Sequence, residues 1–234
     1  VRAVKRSAPF VLAAALFLIS TTARALQYDA DVPPDIRATL DASLTLIGSV
    51  RGGPASPLHR KYFGPNVDGR DYLRFFNARV QAVGYDPRPS NVEGGIAYVD
   101  PNDPHRLWLT SLFPQVRHDL VPMLNILIHE ARHTEPARQF YAHSVCPANG
   151  PDGRPITSGS AAVPLAGMYA CDEMDDGAYA LMAVLLLNVA KSCTSCTADD
   201  KIYAALYGMD NLHRLIDADA LSAVSRDVGV RTAP

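Results

Sequence analysis

The sequence predicts an α+β chain, mostly helical, with a small antiparallel β element just before the helix that carries its most informative motif. Three observations predict it. Six segments repeat apolar residues at helical spacing. Strand-like patterning is confined to two short neighbouring segments with a strong turn between them. At 234 residues, 48% hydrophobic and 20% charged, the chain can build a hydrophobic core, which excludes a disordered or collagen-like protein.

The elements follow in order. Val32-Pro33-Pro34-Asp35 leads into a periodic run ending near Val50, with proline in the first turn and Gly48 near the end. Arg51-Gly52-Gly53-Pro54 breaks the chain. Residues 68–83 read as a second helix, with Tyr72, Phe75, Phe76, Ala78, Val80 and Val83 as candidate core and Gly84 as its stop. Residues 96–100 and 106–113 are β-like, and Asp100-Pro101-Asn102-Asp103-Pro104 turns between them, so a hairpin or two edge strands is expected. Trp108, with Leu107 and Leu109, is read as sheet core. Residues 119–135 form a long helix with Leu120, Met123, Leu124, Leu127 and Ile128 at apolar positions. The stretch 136–170 is rich in Pro, Gly and Ser without clear periodicity, and is read as a long ordered loop of functional length. Residues 172–191 return to helix, apolar nearly all round over 178–189 and therefore buried on most faces. Helices at 199–216 and 219–228 complete the chain.

Residues 1–25 read as an export signal. Arg2, Lys5 and Arg6 form a basic start, an apolar run follows from Ala8 to Ile19, and Ala23-Arg24-Ala25 fits a small-x-small cleavage site. The apolar run is short for a membrane span, so a membrane contact is expected only if this segment stays uncleaved. Residues 26–234 are read as one domain, exported to a periplasm or secreted. Cleavage removes four of the 22 basic residues and none of the 24 acidic ones, for a net charge of −6. With no dense Lys/Arg stripe, nucleic acid is not expected as a partner.

The chemistry rests on His129-Glu130-Ala131-Arg132-His133. On a helix, positions i and i+4 share one face a turn apart, so the two imidazoles can hold one tetrahedral Zn²⁺. Zinc acidifies a water, and Glu130 beside the first histidine can take its proton as general base. The bland alternative is an amphipathic helix with two surface histidines. Context favours the metal: the pattern ends a strongly apolar helix, follows strand-like segments and precedes a long loop. At these residues, over approximately 95–190, the sequence resembles the zincin metallopeptidases. That resemblance implies an active-site helix beside the small antiparallel β element, with an edge strand that takes extended substrate; 106–113 is expected in the edge position. The chain departs from the stricter pattern at Arg132 and Glu135, and Thr134-Glu135-Pro136-Ala137 replaces the metzincin continuation.

A catalytic zinc takes three protein ligands and keeps one position open. The candidates for the third are His143 and the acidic cluster Asp172, Glu173, Asp175 and Asp176, read as the opening of the next helix. Resemblance to gluzincins implies an acidic ligand there, and Asp172 is preferred. Asp176, whose Asp176-x-x-Tyr179 setting resembles the aspzincins, comes second, then Glu173 and His143. Acidic residues at a helix start also serve the helix dipole and capping alone. His143 is alternatively an oxyanion stabiliser. Tyr179 either donates to such an oxyanion or satisfies its hydroxyl locally. His59, His105, His118 and His213 are read as ordinary histidines.

In an exported chain the four cysteines allow three disulfide pairings. Cys146–Cys171 with Cys193–Cys196 is favoured; a structural zinc site on Cys193-x-x-Cys196 is the alternative. The expected function is an exported zinc metallopeptidase-like hydrolase acting on a peptide or amide bond of a peptide or protein substrate. The rival is a non-catalytic exported domain that binds metal or a protein partner.

Overall fold

The computed structural model describes residues 26–88, 95–159 and 163–231. The expected leader, 1–25, lies outside the described residues. The chain begins with β1 (Gln27–Tyr28), α1 (Pro34–Gly48), β2 (Arg51–Pro54), α2 (Pro57–Tyr62), β3 (Asn66–Asp68), α3 (Gly69–Asn77) and β4 (Ala82–Asp86). It continues with β5 (Ala97–Val99), β6 (Arg106–Thr110), α4 (Leu120–His133), the short turn α5 (Arg138–Tyr141) and β7 (Ser144–Val145). Then come β8 (Thr157–Ser158), β9 (Val163–Pro164), β10 (Tyr169–Cys171), α6 (Ala178–Ser192), α7 (Ala198–His213) and α8 (Ala218–Val228). Mixed helix and sheet is thus the observed class.

Four strands form the main sheet in the order β1-β4-β6-β5. β1 and β6 both run parallel to β4, and β5 pairs antiparallel with β6, Ala97 opposite Leu109 and Val99 opposite Leu107. The expected hairpin is therefore present. Its strand β6 is interior, however, and β5 is the edge, because β4 takes the other side of β6. Leu107 and Leu109 are fully buried against the helices. Alternation turns Trp108 to the opposite face, where it is half-buried and stacks on Tyr98 with ring centroids 6.2 Å apart. Trp108 thus lies outside the core expected for it.

The second helix is shorter than its apolar spacing predicts. Asp68 caps α3, its side chain accepting from the Arg70 amide, and the helix stops at Asn77. Val83 and Gly84 belong to β4 instead. Gly84 is not a helix stop; a Cβ there would come within 2.6 Å of the Trp108 ring, so the strand needs a residue without a side chain. Ala82 and Val83 suit either period, and pairing with both β1 and β6 decides for the strand.

The main core joins α1, α3, the sheet, α4 and one face of α6. The other face of α6 packs on α7 and α8, so α6 is buried on nearly every side, from Ala180 through Leu186 without a break. A small satellite cluster of Cys146, Ile156, Leu165 and Cys171 lies within the long segment after α4. There the chain folds back as two small antiparallel ladders, β7–β10 and β8–β9. Both favoured bridges, Cys146–Cys171 and Cys193–Cys196, are formed and no cysteine is free. Two disulfides fit an oxidising, exported location. Among the described residues no helix is long and apolar enough to cross a membrane.

Candidate metal centre

α4 positions the first two side chains. Leu120, Val121, Met123, Leu124, Leu127, Ile128 and Ala131 bury its apolar face, which leaves His129 and His133 one turn apart at its end. The third side chain is His143, brought in by the β7–β10 ladder. The three Nε2 atoms form a nearly equilateral triangle: His129 to His143 is 3.1 Å, His133 to His129 3.2 Å and His133 to His143 3.2 Å. These three residues form a group able to hold a metal ion.

The outer nitrogens fix what the inner ones can do. His133 Nδ1 lies 2.9 Å from the Phe140 carbonyl, and His143 Nδ1 lies 2.9 Å from Asp172 Oδ1. Each partner only accepts, so each Nδ1 carries the proton and each Nε2 presents a lone pair. Two lone pairs 3.2 Å apart repel unless a cation sits between them. Nitrogens bound tetrahedrally to one zinc at about 2.0–2.1 Å are about 3.3–3.4 Å apart, close to the observed spacing. The residues present therefore fit a metal ion with three imidazole ligands.

Asp172 is not one of the converging donors. The acidic cluster lies ahead of α6 rather than in its first turn, so the helical spacing of Asp172 and Asp176 does not apply; Gly177 is the N-cap. Asp172 is only 2% exposed. Its amide donates to the Arg214 carbonyl and its own carbonyl accepts from Ile216, both at 2.9 Å. Oδ2 accepts from the Tyr179 amide at 2.7 Å while Oδ1 holds His143. Both carboxylate oxygens are thus engaged, and Asp172 orients a ligand instead of being one. A Cβ at Gly177 would meet Asp172 Oδ2 at 2.3 Å, so the glycine admits the carboxylate to the helix end. Glu173 is exposed, and the Asp176 carbonyl takes two hydrogen bonds from Arg132, at 3.1 and 2.8 Å; neither carboxylate is in the ligand group.

Arg132, a departure from the stricter motif, has a structural role. Besides holding Asp176, it donates to Glu135 Oε1 at 2.7 Å and lies over the Tyr141 ring at 3.7 Å. It ties α4 to both segments that complete the site. Glu135 also accepts from Arg79 at 2.7 Å, which accounts for the second departure. Between these contacts the chain turns left-handed, with φ of 56°, 61° and 53° at Gln139, Phe140 and Tyr141. Such backbone is costly for residues with a Cβ. Here it aims the Phe140 carbonyl at His133.

Tyr179 covers the triangle. Its ring stacks on His143 at 4.4 Å and tilts against His129 at 4.7 Å. Its hydroxyl accepts from Arg214 Nη1 at 3.0 Å, and Arg214 is held by Asp210 at 3.0 Å. Arg214, the Phe140 carbonyl and the bonding of Arg132 carry no sequence signal; only the imidazole and carboxylate types at 143 and 172 pointed here. Burial dominates the electrostatics. It pushes His133 down to about 4 and His129 well below its usual range, with neighbouring imidazoles adding to both. It pushes the Glu130 carboxyl up to about 8. Compared with known protein families, curated proteins and solved structures, the chain matches none.

Proposed function

We propose that the chain is an exported zinc-dependent hydrolase of zincin-like type, acting on a peptide or related amide bond. The observation that carries this reading is the convergence of the Nε2 atoms of His129, His133 and His143 to within 3.1–3.2 Å of one another at the end of α4. His129, His133 and His143 would hold the ion, which supplies Lewis acidity toward water and the substrate carbonyl. Every other part is done by the chain. Asp172 and the Phe140 carbonyl hold two imidazoles in the tautomer that presents Nε2. Glu130 is the general base: it takes the proton from the attacking water and passes it to the leaving amine nitrogen. Its raised pKa belongs to the metal-free site, and a divalent charge close by favours the carboxylate. Tyr179 shields the imidazoles from solvent. Among the described residues β5 pairs only with β6, and its other edge would take an extended substrate.

Metal analysis with a peptide-hydrolysis assay tests the reading. The purified chain is expected to hold close to one zinc and to cleave unstructured peptides. Glu130→Gln is expected to keep the zinc and lose at least a hundredfold in kcat. Zinc binding without hydrolysis by the unaltered chain, or full activity in Glu130→Gln, would overturn it.

A further inference from the structure

The C-terminal ends of α6 and α8 and the turn between β2 and α2 line a cavity of about 260 Å³. None of its lining residues belongs to the metal centre. One side of it is fixed by a buried polar network. Asn188, 4% exposed, accepts the Ser56 amide at 2.8 Å through Oδ1 and donates to Ser56 Oγ at 2.9 Å through Nδ2. Ser56 Oγ in turn donates to Asp227 Oδ2 at 2.5 Å, and the Leu58 amide donates to Asp227 Oδ1 at 2.8 Å. Both oxygens of this carboxylate are thus held, but by neutral donors. A carboxylate has about four acceptor positions, so about two stay open. Lys191 lines the same cavity from the exposed end of α6. Among the described residues neither Asp227 nor Lys191 forms an ion pair, with the other or with any third side chain. One cavity therefore carries an unpaired cation and a positioned, uncompensated carboxylate. Pro54, Pro57, Leu187 and Val228 add apolar surface beside them.

We infer that this cavity is a binding site for a free α-amino acid with an apolar side chain. The ammonium group of the ligand donates to Asp227, its carboxylate meets Lys191, and its side chain lies against the apolar residues. Charge decides for a zwitterion. A simple anion would meet Lys191 but be repelled by Asp227, and a simple cation the reverse. Size decides for a single amino acid. A cavity of about 150 Å³ takes a benzene molecule, so this one has room for an aliphatic side chain and its head groups. It is smaller than the roughly 300–1,000 Å³ of sites for larger ligands. Asp227 is positioned in advance, and Lys191 reaches the carboxylate on a flexible four-carbon stem. The site is independent of the hydrolase reading.

Isothermal titration of the full chain with L-leucine tests the site. Saturable binding of one equivalent is expected. Leucinamide, which lacks the carboxylate, and 4-methylpentanoate, which lacks the ammonium group, are each expected to bind at least tenfold more weakly. Aspartate is expected to bind more weakly as well, because its second carboxylate would be dehydrated there without a partner. Lys191→Met, at an exposed position, is expected to leave the urea midpoint unchanged and to bring leucine down to the level of leucinamide. Asp227→Asn is expected to remove the preference for leucine over 4-methylpentanoate. Because Asp227 also joins α8 to α2, the Lys191 variant decides if the Asp227 variant fails to fold. Absence of saturable leucine binding at millimolar concentration overturns the site. So does leucine binding that survives Lys191→Met, since the amino acid would then be held elsewhere, the metal centre included.

Discussion

At the scale of single residues, the division of labour between His143 and Asp172 is the decisive feature. One points a lone pair at its two neighbours and the other holds it there. His143→Ala is expected to lose zinc as completely as His129→Ala or His133→Ala. Asp172→Asn is expected to weaken binding about 10- to 100-fold without abolishing it, the usual cost of removing an orienting partner. Zinc titration ranks the variants; retention by His143→Ala with complete loss in Asp172→Asn would restore the carboxylate as ligand. Protonation offers a second check. In the metal-free protein His133 is held down to about 4 by burial first and by the like charge of His143 next. The folded state therefore resists a proton that the unfolded chain accepts near its ordinary value of 6.5. Its contribution to stability is intact above that value and is lost as pH falls toward 4. Titration of the imidazole resonances by NMR in the metal-free protein is expected to show a midpoint near 4 for His133; a midpoint of 6 or above would show an open, solvated site. These roles were legible in part. The motif spacing located His129, Glu130 and His133, but His143 and Asp172 differ from other histidines and carboxylates only in what faces them.

At the scale of elements, α4 is the rigid part of the site and the β7–β10 ladder the adjustable one. α4 is held by a core that spans most of the chain. The ladder is held by few residues, a β7–β10 pairing whose register shifts between Tyr169 and Cys171, and one disulfide whose Cα atoms are 5.2 Å apart. His143 precedes Cys146 by three residues and Asp172 follows Cys171 directly, so the bridge clamps the two strands where the ligand and its partner leave them. Replacing both cysteines by serine is expected to cost about 3 kcal/mol for a loop of this length. It is also expected to weaken zinc binding at least tenfold, although neither sulfur is a ligand. Denaturant unfolding and metal titration of the same variant check the two effects; unchanged affinity would show that the ladder needs no clamp.

At the scale of the whole molecule, α6 is the common wall. One side closes the core under the sheet and α4, the other carries α7 and α8, and its N-terminus meets the Asp172 carboxylate. Leu185 is fully buried between these layers. Leu185→Ala is expected to cost about 2–5 kcal/mol through lost burial and the cavity left behind. Ile202→Ala, on the exposed side of α7, is expected to change stability by less than about 0.5 kcal/mol. Urea midpoints of the two variants test whether α6 holds the layers together; similar small effects would show that it does not.

The sequence by itself determined the helices with strong apolar periodicity, the hairpin and its turn, and the helical face that carries two imidazoles. It also favoured the observed disulfides; apart from Cys146–Cys171, whose cysteines are 25 residues apart, all of these depend on residues near one another in the chain. Tertiary structure decided what depends on neighbours remote in sequence. Ala82 and Val83 became strand because β1 and β6 both pair with them, and Gly84 made room for Trp108. The acidic cluster stayed ahead of α6 because Asp172 pairs its backbone with 214–216 and caps that helix from outside. The choice of His143 over Asp172 in the ligand group was settled in the same way. Which side chain faces the ion and which stands behind it is set by an antiparallel register, a left-handed turn and a disulfide acting together, and no local pattern encodes their sum.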